Sequence, residues 1–444
     1  MKLLVCMIVL AVITVALPLQ AAPLDLTTAY QKAVEYDARL RSARADNLMY
    51  KEEIGKAGSQ FRPNVRVSAA RGRNATQQGY MGRLRIPDYY NTVNYGVTIR
   101  QPLINFSTLA SYKQAKVVSS KSDVDLGKEE ASLIVRTTEA YCNALYAEDN
   151  LAFSKALIKA TLEQLEQARK RFDKGFGTIT EVEEAQAGYD NAKAEGVDIM
   201  NSVEFSRQEL ENITGVYPDQ LCGVVSEKLQ LLRPQPNNIE SWIELAHSAN
   251  PEVVGARQEI VIAKREIEKQ RAARYPTIDL VAGRNYSESE NNYSIGSTYD
   301  TYSISLQMSV PVYTGGYVSA SVRQAHAKWL KAGEQLNWQE RGVESETRKY
   351  YNGVMSGIEQ VKAYEQAVHS HKIAMVGTKK GYEAGLRSNV DVLDAQQKYF
   401  ASLRNLAKSR YQYILNRLML KQTAGIISAA DIDEVNGWLV VANP

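Results

Sequence analysis

Two stretches place an apolar residue every seven positions: Leu151, Ile158, Leu165 and Phe172, then Val361, Val368, Met375 and Tyr382. A seven-residue period held over several turns marks helices wound about one another, because 3.6 residues per turn drifts only slowly against 3.5. Behind each stretch the spacing alternates three and four, from Val182, Ala185 and Tyr189 on to Ile213, and in the same register from Val392, Ala395 and Tyr399 on to Thr423. Each block is one helix entering a turn and another leaving it. Several seam positions are small or polar, such as Gly196, Ser206, Ser402 and Asn416. That suits helices sharing partners on more than one side, with an ordinary helical bundle as the plainer alternative.

The turns match each other. Gly381-Tyr-Glu-Ala-Gly-Leu-Arg-Ser-Asn-Val-Asp-Val-Leu-Asp-Ala-Gln396 pairs with Arg171-Phe-Asp-Lys-Gly-Phe-Gly-Thr-Ile-Thr-Glu-Val-Glu-Glu-Ala-Gln186, 210 residues earlier. Tyr141 and Tyr351, Leu210 and Leu420, and Gly215 and Gly425 keep that offset. The pattern predicts an internal tandem duplication. Gly175 and Gly385 end the entering helices, and Thr178 and Ser388 are predicted N-caps of the leaving ones.

Elsewhere the period drops to two. Tyr302, Ile304, Leu306, Met308 and Val310 alternate with Ser303, Ser305, Gln307 and Ser309. Val65, Val67 and Ala69 alternate with Arg66 and Ser68; Tyr95, Val97 and Ile99 with Thr98 and Arg100; Ile278, Leu280 and Ala282 with Asp279 and Gly283. Each copy therefore supplies two strands. Between them, 74–94 and 285–300 read as exposed loops rich in Tyr, Asn, Ser and Gly. A helix over 24–56 precedes the first pair, and its counterpart over 239–274 is broken at Asn250-Pro251. The helix from Ser107 to Lys174 would reach on the order of 100 Å at about 1.5 Å per residue.

The expected division is a signal peptide at 1–21, a first repeat at 22–215, a linker at 216–238, a second repeat at 239–425 and a tail at 426–444. The signal reading rests on basic Lys2, an apolar run from Leu3 to Leu19 and small residues at Ala21 and Ala22. Cys6 leaves with it away from the cleavage point, so no acylated terminal cysteine is expected; for Cys142 and Cys222 the sequence leaves open a bridge between them or, as the plainer reading, two buried thiols. The formal net charge of +3 gives no reason to expect nucleic acid. No later run of eighteen apolar residues offers a membrane-spanning helix. With four histidines in the chain, and His369 and His371 facing apart on a helix, neither catalysis nor a metal or cofactor site is expected.

Four strands, apolar on one face and polar on the other, are too few to close a membrane barrel, which needs about eight. Lipid tolerates no open edge, so several chains must pool strands. A soluble sheet with one wet face would fit the same alternation, but tyrosines at the strand ends favour a membrane.

The turn at 381–396, with Gln101-Pro102-Leu103 and Ser309-Val310-Pro311-Val312 where the strands exit, resembles the TolC family of outer-membrane channel proteins. The order of helix, two strands and long helices, twice over, matches as well. The resemblance implies an α+β membrane protein: a homotrimer with a 12-stranded β-barrel, four strands per chain, continuous with a long α-helical coiled-coil barrel. It implies an exit duct for type I protein secretion or multidrug efflux in the outer membrane of a Gram-negative cell. Its partners would be outer-membrane lipid, a periplasmic membrane-fusion adaptor and an inner-membrane ABC or proton-driven transporter. The family's periplasmic gate falls on Thr180, Glu181, Tyr382 and Arg387, with Arg387 expected to pair with Glu181 of another chain and Tyr382 to donate to the same carboxylate. Its acidic entrance ring falls on Asp391, Asp394 and Glu184. A pore-free periplasmic coiled-coil scaffold is the competing class.

Overall fold

The computed structural model describes residues 23–77, 79–80, 83–84, 88–225, 228–290 and 296–441; the expected signal peptide, with Cys6, lies outside them. Helices α1 (Leu26–Tyr36) and α2 (Ala38–Ser59) lead into β1 (Asn64–Thr76). Two short strands, β2 (Gly79–Tyr80) and β3 (Arg83–Leu84), pair beyond it, and β4 (Asp88–Ile104) returns to α3 (Phe106–Asp173) and α4 (Ile179–Thr214). After β5 (Cys222–Val224) the same order recurs as α5 (Ile239–Ala249), α6 (Pro251–Ala272), β6 (Thr277–Ser289), β7 (Ser297–Ser309), α7 (Tyr317–Glu383) and α8 (Asn389–Thr423). The chain then forms α9 (Ala429–Asn436) and β8 (Leu439–Val441).

The main sheet runs β1-β4-β6-β7, antiparallel throughout, so β1 and β7 are its open edges. Its register aligns Val65, Ile99, Ala282 and Ile304 in one row and Val67, Val97, Arg284 and Tyr302 in the next. Cross-strand neighbours share a face, and this face is bare: Val67 is 73% and Ile304 76% exposed, with Leu306, Met308 and Tyr302 similarly open. No described helix is long and apolar enough to cross a membrane.

The strands outrun their predicted ends. Pairing continues to Ala75 with Tyr89 and to Ser287 with Tyr299, inside the stretches expected to be loops. Beyond the apolar band both faces carry polar groups, so side-chain alternation fades while the backbone ladder goes on.

Another departure is in the first helix, which is two. Asp37 has φ −56 and ψ 121 and caps α2, its carboxylate accepting from the Leu40 amide at 2.7 Å. Arg136 on α3 holds that carboxylate at 3.0 Å. In the second half Asn250 does the same work, accepting from the Glu252 amide at 2.8 Å and donating to the Thr423 carbonyl at 2.8 Å, ahead of Pro251. Proline made one break readable; the other depends on an arginine about a hundred positions away in sequence.

With 68 residues, α3 is a single rod of about 100 Å. At its middle lies the main core, where Tyr141 is fully buried and its hydroxyl donates to the Leu24 carbonyl at 2.8 Å while accepting from the Cys222 amide at 3.0 Å. Trp438, Leu439, Ile432 and Val435 of the tail join this core, and β5 pairs with β8. Cys142 and Cys222 are free and buried, and burial pushes the Cys142 thiol up to about 12.

Candidate functional site at the helical hairpin tips

Both hairpins turn by the same device. At the first tip Gly175 adopts φ 75, the Phe176 amide reaches back to the Arg171 carbonyl at 2.9 Å, and Gly175 bonds Phe172 at 2.9 Å. At the second, Gly385 adopts φ 75, Leu386 bonds the Gly381 carbonyl at 2.8 Å, and Gly385 bonds Tyr382 at 3.0 Å. This nested pair satisfies carbonyls that a helix end leaves open, and a left-handed residue must sit at its corner. The leaving helices are capped by Thr178, which accepts from the Glu181 amide at 3.2 Å, and by Ser388, which accepts from the Asp391 amide at 3.1 Å.

The tips differ in what they bury. Tyr382 is 1% exposed, whereas Phe172 at the equivalent place is 43% exposed. Tyr382 lies at the junction of the hairpins, with the Arg171 guanidinium 4.9 Å over its ring and Arg171 Nη1 donating to its carbonyl at 3.4 Å. Burial, then the negative charge of Glu181, push the phenol above its ordinary value, with Arg171 pulling the other way. The Tyr382 hydroxyl and one Glu181 oxygen are both buried, and neither has a hydrogen-bond partner among the described residues. The fold thus gathers Tyr382 and Glu181 at one place without bonding them.

Arg387 is exposed and lies across its own turn, where a Cβ on Gly381 would come within 2.9 Å of its Cγ. Within the described chain no ion pair or hydrogen bond joins it to Glu181. Thr180 is exposed on the first turn of α4. Asp391 closes a capping box by accepting from the Ser388 amide at 3.0 Å. The hydrogen bonds from Ser388, helped by the Arg387 charge, hold its carboxyl below the usual range. One Asp391 oxygen is thereby committed to the helix start, the ordinary use of an acid in a first turn. Asp394 is exposed and Glu184 half-buried one turn further on.

Reasoning from sequence missed a pair of amides. Gln164 of α3 donates to Asn389 Oδ1 at 2.7 Å, and Asn389 Nδ2 donates to the Glu181 carbonyl at 3.1 Å. Both side chains are 1% exposed. The available signal was Asn389 standing where the matching turn 210 residues earlier has Ile179. Arg171 was also missed, since nothing local distinguishes it from a solvated cation.

A sheet with one bare apolar face, set on helices of about 100 Å that end in paired tight turns, fits a protein seated in a membrane by its strands, and the chain's relatives are outer-membrane efflux and secretion proteins. The chain belongs to the outer membrane efflux protein family, which matches residues 29–216 and 242–426. It is 31% identical over 421 residues to outer membrane protein TolC of Vibrio cholerae, covering 94% of each chain. It is 29% identical over 430 residues to the alkaline protease secretion protein AprF of Pseudomonas aeruginosa, covering 95% of this chain and 88% of that one. Among solved structures, the outer membrane protein VceC of Vibrio cholerae superposes with a TM-score of 0.74 at 18% identity, over 90% of this chain and 96% of that one.

Proposed function

We propose that three copies of this chain pool their strands into one 12-stranded barrel and their hairpins into one tunnel. The reading is carried by the sheet: β1 and β7 are open edges on strands whose apolar face is uncovered. In hydrocarbon an unpaired edge costs several kcal/mol per backbone group, so edge must meet edge between chains. The helices support the same assembly. Outward on α4 stand Val197, Met200 and Phe205, and on α7 Trp338, Ile373 and Val376, all more than a third exposed. Helices in a hollow cylinder pack sideways on both neighbours, and α4 and α7 are the flanks left over. The recurring element order and the family match in two blocks support the tandem duplication.

The duct is passive and opens at its periplasmic end when an adaptor, docked in the grooves between hairpins, couples it to an inner-membrane ABC or proton-driven transporter. Tyr382, Glu181, Thr180 and Arg387 hold that end closed, Arg387 reaching the Glu181 carboxylate of the next chain. The AprF relative is named for secretion of a protease, which favours type I secretion, alone or alongside efflux.

The deciding experiment is membrane fractionation followed by planar-bilayer recording of the purified chain. A heat-resistant trimer in the outer-membrane fraction that conducts ions is expected. A soluble periplasmic monomer would remove the channel and leave a scaffold.

Asp391 and Asp394, with Glu184 behind them, form the acidic belt at the constriction, where one charge repeated about a threefold axis attracts cations. Asp391→Asn with Asp394→Asn is expected to weaken block by a trivalent cation by about tenfold or more. An unchanged blocking concentration would leave these carboxylates only their role at the helix start.

A further inference from the structure

We propose that Arg71 and Arg73 of β1 form a binding site for a phosphate group of outer-leaflet lipid, on the outside of the barrel at the rim far from the helices. The proposal rests on the barrel reading above and gives a ligand to two residues which that reading does not use.

The register puts both arginines on the lipid face. Side chains two apart on a strand share a face, so Arg71 and Arg73 continue the line of Val65, Val67 and Ala69. Upward from the helical end, the rows on this face are Ile278 with Met308, Leu280 with Leu306, Ile99 with Ala282 and Ile304, and Val97 with Arg284 and Tyr302. Tyr95 stacks on Tyr286 at 4.4 Å in the next row, and Arg71 stands in the one above, level with Val93 and Glu288. From Ile278 to Glu288 is ten residues of β6, about 33 Å along a strand, which a tilt of about 40° shortens to about 25 Å. That is the height of a barrel's apolar band. Arg71 therefore lies where hydrocarbon gives way to headgroups, with Arg73 one row beyond.

Charge says what meets them there. The other ionised groups described on this face have partners. Arg284 holds Asp300 at 2.9 and 2.8 Å and lies 5.0 Å over the Tyr302 ring. Glu288 accepts from the Tyr286 hydroxyl at 3.0 Å, and Glu290 from the Asn91 side chain at 2.7 Å. Arg71 and Arg73 are exposed, stand opposite Val93 and Asn91, and have no ion pair or hydrogen bond among the described residues. An unpaired guanidinium beside hydrocarbon is costly, whereas a phosphate takes its N–H groups two at a time. Two guanidinium groups on positions about 7 Å apart can close on one headgroup phosphate. The stacked tyrosines a row below Arg71 then meet the acyl chains of the same lipid.

The test is lipid binding by the purified trimer in detergent, followed by titration and native mass spectrometry. Lipid A carrying both phosphates is expected to bind, and Arg71→Gln with Arg73→Gln to weaken that binding about tenfold or more. The same lipid stripped of its phosphates should bind weakly, and equally, to both proteins. Equal affinity of the two proteins for the phosphorylated lipid would overturn the site. So would displacement of the lipid by inorganic phosphate, which would make this a site for the free anion. A variant trimer that melts earlier with its lipid affinity unchanged would assign the arginines to the seam between chains and also overturn it. Should the double variant fail to assemble, Arg73→Gln alone decides, with a loss of about threefold or more expected. The heat-resistant trimer of the unaltered chain keeps the two readings apart. Without it the barrel reading fails, whereas a sound trimer whose variants bind lipid as before removes the lipid site alone.

Discussion

Arg387→Ser combined with Tyr382→Phe is expected to produce the largest functional change available at this site, a channel whose open fraction rises by about tenfold or more. A hydrogen bond to a charged group contributes about 1.5–3 kcal/mol where water is excluded and well under 1 kcal/mol where it is not. Arg387 is exposed in the single chain, so the lower figure applies to each contact. Three related contacts of about 0.5 kcal/mol still sum to about a factor of ten. Tyr382→Phe removes only an oxygen, and that oxygen has no partner within the described chain. Phe172 occupies the same corner of the first turn, so phenylalanine suits the backbone there. Tyr382→Phe alone should therefore act less than the pair. Planar-bilayer conductance is the measurement, and a persistently low open fraction would remove the latch.

Gly425→Ala is expected to be the most destabilising single substitution at any of the turns. Gly425 adopts φ 72, and a Cβ there would lie 2.3 Å from the Ala249 carbonyl oxygen and 2.5 Å from its carbon. The left-handed conformation itself costs alanine roughly 1–2 kcal/mol. The contact adds to this because the obstacle is backbone. Asn250, next to Ala249, is bonded to the Thr423 carbonyl, so neither side can move off. The total should reach about 3 kcal/mol or more and abolish the heat-resistant trimer. Gly385→Ala is the control. Gly385 has φ 75 with nothing within 4 Å of the added Cβ, so only the conformational cost of roughly 1–2 kcal/mol applies. Equal thermal stability of the two variants would show that the close approach at Ala249 contributes nothing.

Legibility at the tips divides by range. The corner glycines and the caps Thr178 and Ser388 were readable because each depends on residues within a single helical turn. The strands' apolar rows were readable because alternation is a property of neighbouring residues. Their length was not, since above the apolar band the backbone ladder continues without a side-chain signature. The kink at Asn250-Pro251 was marked by proline, whereas the matching one at Asp37 needed Arg136 from α3 to hold an aspartate in place. The gate residues came from resemblance to a family, and Tyr382 in particular had packing at a heptad position as an equally good account.

By itself the sequence determined the periodic features, namely heptad helices, two glycine-cornered turns and four amphipathic strands, whereas the outer-membrane export channel came from resemblance to a family. Only the tertiary structure decided which member of each matched pair of positions is buried. Tyr382 is enclosed and Phe172 open, Asn389 is enclosed and Ile179 open, although each pair occupies the same place in its own turn. The physical reason is that the matching turn sequences encode the conformation of each hairpin, while burial depends on what the hairpin meets. Here α3 lies against α8 within the chain, so one tip faces inward onto its sibling and the other faces out.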